Sequence, residues 1–169
     1  MKLPAPVCRQ AGTGRGFPEM NYLLLLCPLT PPTRRGLRGT LPAKDWVDKA
    51  EEDFQFAIVN LNEQKAFYAQ ICFHFHQAAE KYLKAYVVAN ELEFRKIHDL
   101  PLLLRICSAK DSTLEALGDA CEYLNAFYVE TRYPVHWPTN FSYEEAEKSL
   151  KAVDRIRSVI KEKIPSLLE

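Results

Sequence analysis

From Ala43 onward the apolar residues recur at three- and four-residue intervals, the period of α-helices that each bury one face. The first run predicts a helix over about Lys44 to Leu61, with Trp46, Ala50, Phe54, Ile58 and Leu61 on one stripe and Glu51, Glu52 and Gln55 facing water. The second, about Ala66 to Asn90, is the longest and most apolar. Ile71, Phe75, Ala78, Tyr82, Ala85 and Val88 form its face, and Cys72, Ala79, Tyr86 and Val87 widen it, so this helix is expected at the centre. Asp99 ahead of Pro101 starts a third helix, because Asp caps free amides and proline is tolerated in a first turn; it should end near Ser108. Asp111 or Ser112 caps a fourth, which carries Leu114, Leu117, Cys121, Leu124 and Phe127. Ser142 and Glu145 form a capping box for the last helix, striped by Ala146, Leu150, Val153, Ile156 and Ile160 and ended by Pro165. No strand-forming run, internal repeat or glycine-rich phosphate loop stands out. The expected fold class is all-α, an up-and-down bundle of about four long helices plus one short helix.

Composition changes this picture at the N-terminus. Residues 1–40 hold five of the six glycines and six of the eleven prolines, a texture that forms helices and strands poorly. They also carry six Lys/Arg against one Glu, which leaves residues 41–169 with 16 basic and 21 acidic side chains. Two domains of unlike character follow: a disordered or misassigned leader, 1–40, and a helical body, 41–169. The net-acidic body argues against broad nonspecific duplex binding, while a local basic pocket stays possible. Leu23 to Leu26 is too short an apolar run to span a bilayer, and no membrane association is expected. The five cysteines show no CxxC pair and no ligand spacing with histidine, so no metal site, no disulfide framework and no cofactor is expected. Cys72, Cys107 and Cys121 sit in apolar helical contexts as buried free thiols, which fits a cytoplasmic location.

The chemistry concentrates between Tyr128 and Pro138, where the chain reads Tyr-Val-Glu-Thr-Arg-Tyr-Pro-Val-His-Trp-Pro. Arg132 can fork two hydrogen bonds onto a phosphate, and His136 can exchange a proton near neutrality. Tyr133 or Trp137 can stack on a base. Lys81 and Lys84 can add charge near a phosphate. The plainer reading has Arg132 paired with Glu122 or Glu130 and the aromatics sealing one end of the core. His74 and His76 lie on faces about 200° apart and cannot make an i, i+4 metal pair. Each is expected to be a satisfied core or interface histidine, and His98 beside Asp99 to serve capping and local hydrogen bonding.

The second helix also carries a resemblance. Cys72-Phe73-His74-Phe75-His76-Gln77-Ala78-Ala79-Glu80-Lys81-Tyr82-Leu83-Lys84-Ala85 resembles the signature helix of HEPN domains. Asp45-Trp46 with Ala50-Glu51-Glu52-Asp53, His98-Asp99-Leu100 and Arg132-Tyr133-Pro134 resemble further pieces of that family in the same order, over roughly residues 44–164. The resemblance implies a helical bundle, commonly a homodimer, that binds a nucleotide or RNA and often works with a minimal nucleotidyltransferase. Some members are metal-independent ribonucleases of toxin–antitoxin type, marked by an Arg followed after four to six residues by His. Arg132 and His136 have only three residues between them, and Tyr133 and Pro134 depart from that mark. The chain is closer to the Arg-Tyr-Pro branch, which includes the C-terminal domain of sacsin and is associated with nucleotide binding.

Three functional expectations result. The first is a nucleotide- or RNA-binding domain, dimeric, with Arg132, Tyr133, Trp137, Lys81 and Lys84 at the ligand and a nucleotidyltransferase as partner. The second is a ribonuclease in which Arg132 stabilises phosphate charge and His136 moves the proton. The third is a non-catalytic interaction module. The leader adds an expectation of its own, a native start near Leu37 or Leu41. Mass spectrometry of the native protein's N-terminus should then find one of these positions, and finding Met1 would overturn it.

Overall fold

The computed structural model describes residues 41–63, 67–130 and 141–165, and the fold is all-α. Helix α1 spans Ala43–Asn62 and buries Ala43, Val47, Ala50, Phe54, Ala57 and Leu61. That stripe is rotated slightly from the expected one. Trp46 and Ile58 move to its edge, because the small Ala50 and Ala57 are the residues that let α1 lie close against α2.

Helix α2, Tyr68–Ala89, touches every other α-helix of the described residues and is central, as its pattern predicts. It buries His76, Glu80 and Lys84 along with its apolar residues. Its C-terminus closes with Leu92 N donating to Val87 O (2.9 Å) and Glu91 N to Val88 O (3.1 Å), and Glu91 takes φ 52°, a left-handed position usually given to glycine.

Helix α3, Leu100–Ser108, starts where Asp99 Oδ1 accepts from Leu102 N at 2.7 Å, with Pro101 in the first turn. The fourth helical run is segmented where one helix was expected. A 3-10 stretch, Ser112–Leu117, is capped by Asp111; α4, Gly118–Asn125, follows; and a single turn, α5, Phe127–Glu130, completes it. In the 3-10 stretch Leu114 and Leu117 are a step of three apart, which the tighter winding keeps on one face; both are buried, as are Cys121 and Leu124 of α4 and Phe127 of α5.

Helix α6, Tyr143–Lys163, opens with the expected capping box: Glu145 N donates to Ser142 Oγ at 3.3 Å and Ser142 N to Glu145 Oε2 at 2.9 Å. It stops before Pro165, which disfavours helical geometry at Ile164. Cys72, Cys107 and Cys121 are buried free thiols. Burial pushes them up to about 11, 12 and 12, and so keeps them protonated.

Glu51 corrects the expectation that it faces water. Its carboxylate accepts from Tyr82 Oη (2.6 Å) and from Arg157 Nε and Nη2 (3.0 and 3.1 Å), and it also pairs with Lys161. One carboxylate thus ties α1 to α2 and α6. The Arg157 guanidinium lies 4.7 Å from the Phe54 ring centroid, so its flat face is used as well. Burial pushes the Glu51 carboxyl up, but the hydrogen bonds from Arg157, Lys161 and Tyr82 outweigh it and bring the group down to about 2. A value depressed in the folded state stabilises fully above the unfolded carboxyl range and is lost as pH falls toward about 2. Replacing Glu51 by Gln is expected to cost about 1–3 kcal/mol at neutral pH. In urea melts between about pH 5 and pH 3, the variant should lose less stability than the wild type; equal acid sensitivity would contradict the clamp.

Candidate functional site

The polar groups of α2 leave the apolar core at two places. Toward α1, Asp53 accepts from His74 Nδ1 at 3.0 Å and pairs with Lys81. Burial pushes the Asp53 carboxyl up, yet the hydrogen bonds from His74 and Lys81 hold it below its usual range. Lys81 is therefore tied to α1.

Toward α3 and α5, Glu80 and Lys84 sit one turn apart at 5% and 6% side-chain exposure, with Lys84 Nζ donating to Glu80 Oε1 at 2.6 Å. Lys84 is covered by two aromatic rings, Trp46 and Phe94, whose centroids lie 5.5 and 5.9 Å from the ammonium. These rings pack on each other at 5.6 Å. An ammonium this far from water needs both the carboxylate and the ring faces.

The second oxygen of Glu80 reaches the surface through a histidine. His98 Nδ1 lies 2.9 Å from Glu80 Oε2, so its main partner is on α2, and the expectation of purely local bonding is corrected. A carboxylate accepts only, so Nδ1 donates in this bond, which leaves Nε2 to meet a ligand. The imidazole is 47% exposed. Tyr128 stacks on it, with centroids 5.1 Å apart and planes 13° from parallel, and also lies 5.2 Å from the buried His76 ring. These groups open into a cleft of about 350 Å³ lined by Ile97, His98, Asp99, Asn125 and Tyr128. Asn125 Oδ1 accepts from Leu100 N at 3.0 Å, which joins the start of α3 to the end of α4 and fixes the cleft floor. The amide's NH2 group still has donors to offer.

Of the residues singled out from sequence, Arg132, Tyr133, His136 and Trp137 lie outside the described residues. Lys81 and Lys84 are each held by a different carboxylate of the fold, Asp53 and Glu80. Nothing in the local sequence gave Tyr128 or Asn125 a role or paired Glu80 with His98. One signal was available: Glu80 and Lys84 are an i, i+4 pair of opposite charge between Ala79, Leu83 and Val87 on a helix apolar nearly all round, a setting that asks for a buried ion pair. Among the described residues no group of three His, Cys, Asp or Glu could hold a metal ion, and no helix is long and apolar enough to cross a membrane.

A family model for the HEPN domain matches residues 43–164. Two solved structures are similar over nearly their whole length. TT1696 from Thermus thermophilus is 29% identical, with a TM-score of 0.66, and the match covers 72% of this chain and 98% of that one. ST0689, an archaeal HEPN homologue, is 19% identical with a TM-score of 0.59, covering 74% and 99%, and it shares the fold. No curated protein sequence matches the chain.

The buried pair predicts an asymmetry measurable by urea denaturation. Glu80→Ala strands the Lys84 ammonium and should cost about 3–5 kcal/mol, whereas Glu80→Leu with Lys84→Met removes both charges and should recover most of that loss. A single variant no less stable than the double would show that the ammonium does not depend on Glu80.

Proposed function

The chain belongs to the HEPN domain family, and on that footing we propose that it binds a nucleotide or an RNA phosphate at the end of the bundle where α5 leads toward Arg132. The observation that carries this reading is the flat His98–Tyr128 stack, set over the buried Glu80–Lys84 pair at the mouth of the cleft. A base can continue that stack, and the cleft volume lies at the lower end of the range for small-ligand sites. Asn125 and His98 offer hydrogen bonds to a base edge. Asp99 on the lining repels phosphate, which favours a pose with the base in the cleft and the phosphate away from it. Arg132 lies four residues beyond Tyr128, within about 14 Å of chain, and is the cation proposed for that phosphate, with Tyr133 or Trp137 as further stacking surfaces. Lys81 and Lys84 contribute field from their ion pairs in this reading. The working form is a homodimer with a minimal nucleotidyltransferase partner, as the family resemblance implies.

The ribonuclease reading has one observation in its favour, the half-exposed His98 imidazole oriented by the Glu80 carboxylate, beside the Arg132 and His136 of the sequence motif. ATP titrations of the full chain, followed by calorimetry, test the binding reading. Arg132→Ala and Tyr128→Ala proteins with unchanged circular dichroism should bind at least about tenfold more weakly. Unchanged affinity in both would overturn the reading. In chelator, RNA should stay intact; cleavage by the wild type that is lost in both Arg132→Ala and His136→Ala would replace binding by metal-independent hydrolysis.

A further inference from the structure

A second cleft, of about 310 Å³, lies between α4 and α6, lined by Asp119, Ala120 and Tyr123 from α4 and by Lys148, Lys151 and Arg155 from α6. The three cations fall within an arc of about 60° and span about 10 Å of the helix axis. Among the described residues none of them is ion-paired, although residues 41–169 hold 21 acidic side chains against 16 basic ones. The carboxylates of α6 nearest in sequence are engaged elsewhere. Asp154 faces Arg157 at 3.6 Å, Glu147 accepts from Tyr143 Oη at 3.2 Å, and Glu145 closes the capping box.

The lining is also held in place. Arg155 Nη2 donates to Ala116 O at 2.6 Å, which fixes the guanidinium and leaves its other N–H groups to donate. Tyr123 Oη donates to Glu145 O at 3.2 Å, and Lys148 Nζ lies 4.3 Å from the centroid of that ring. Lys151 has no partner among the described residues' hydrogen bonds and ion pairs. With Asp119 counted, the lining carries three positive charges and one negative, a net +2 in an acidic body.

We propose that the α4–α6 cleft binds phosphate groups, either of a free polyphosphate or of an RNA strand. Several closely spaced charges on the ligand match cations aligned along one helix, and a guanidinium supplies the paired donors that phosphate oxygens accept. The site is separate from the cleft at Tyr128, which faces α2 and α3, and the proposal does not depend on the role given to Arg132.

The test titrates the full chain at low salt with tripolyphosphate and, separately, with an RNA of about ten nucleotides. An Arg132→Ala background removes the other proposed phosphate contact. In that background binding should persist. Adding Lys151→Gln should weaken it about 3- to 10-fold, and adding Arg155→Gln as well should weaken it further, with the salt slope falling by about 0.7 for each cation lost. Lys49→Gln, which removes an exposed charge on α1, should leave binding unchanged. Lys151 holds nothing in the fold, so the Lys151→Gln result stands even if the Arg155 variant is unstable. Binding of RNA alone would identify a strand as the phosphate source, and binding of tripolyphosphate alone would identify a free polyphosphate. No binding of either anion, or binding unaffected by Lys151→Gln, would overturn the proposal.

Discussion

A helix buried along most of its surface must neutralise its own charges within the protein, and that constraint organises this bundle around α2. Glu80 and Lys84 are satisfied by each other, by two aromatic rings and by His98, while Lys81 and His74 share Asp53 on α1. Each of these partnerships fixes the angular position of a neighbouring element as well as balancing charge. Turning α1 about its axis would take Asp53 away from Lys81 and His74 and leave these half-buried groups without their partner. The apolar stripes bring the helices together, and the ionic contacts specify how they are rotated.

The candidate site follows from the same constraint. Glu80 has two oxygens, and Lys84 takes only one of them. The other orients an imidazole at the surface, on which Tyr128 stacks just where the chain leaves the last turn of α5. Interior charge balance and the placing of a surface imidazole thus share one carboxylate. The His98–Tyr128 stack is anchored from beneath, by Glu80 under His98 and by the buried His76 ring beside Tyr128.

The fold was largely legible in the sequence because it rests on local signals. The capping box at Ser142 and Glu145, the Asp99–Pro101 start of α3 and the apolar length of α2 are each written within a few residues, and each is found where the pattern places it. The segmentation of the fourth run was less legible, since spacings of three fit both an α-helix and a tighter winding. Glu51 was misread for a different reason. Its position one step off the stripe suits a solvated face equally well, and only Arg157, Lys161 and Tyr82 arriving from distant parts of the chain make it a junction. Of the candidate site only Tyr128 falls in the stretch that the sequence singles out, whose Arg132, Tyr133, His136 and Trp137 lie outside the described residues, and the pairing of Glu80 with His98 depends on how α2 meets the segment before α3, which no local pattern encodes.

The Glu51–Arg157 contact joins residues 106 apart in the chain, whereas Glu80 and His98 are 18 apart and Leu100 and Asn125 are 25 apart. Closing a long loop costs more chain entropy than closing a short one, so the Glu51 contact carries the larger closure cost. The pieces around the cleft come from consecutive elements and can associate without α1 and α6 having met. The clamp at Glu51 closes the longest of these loops and fastens α1 to α6 across most of the described chain.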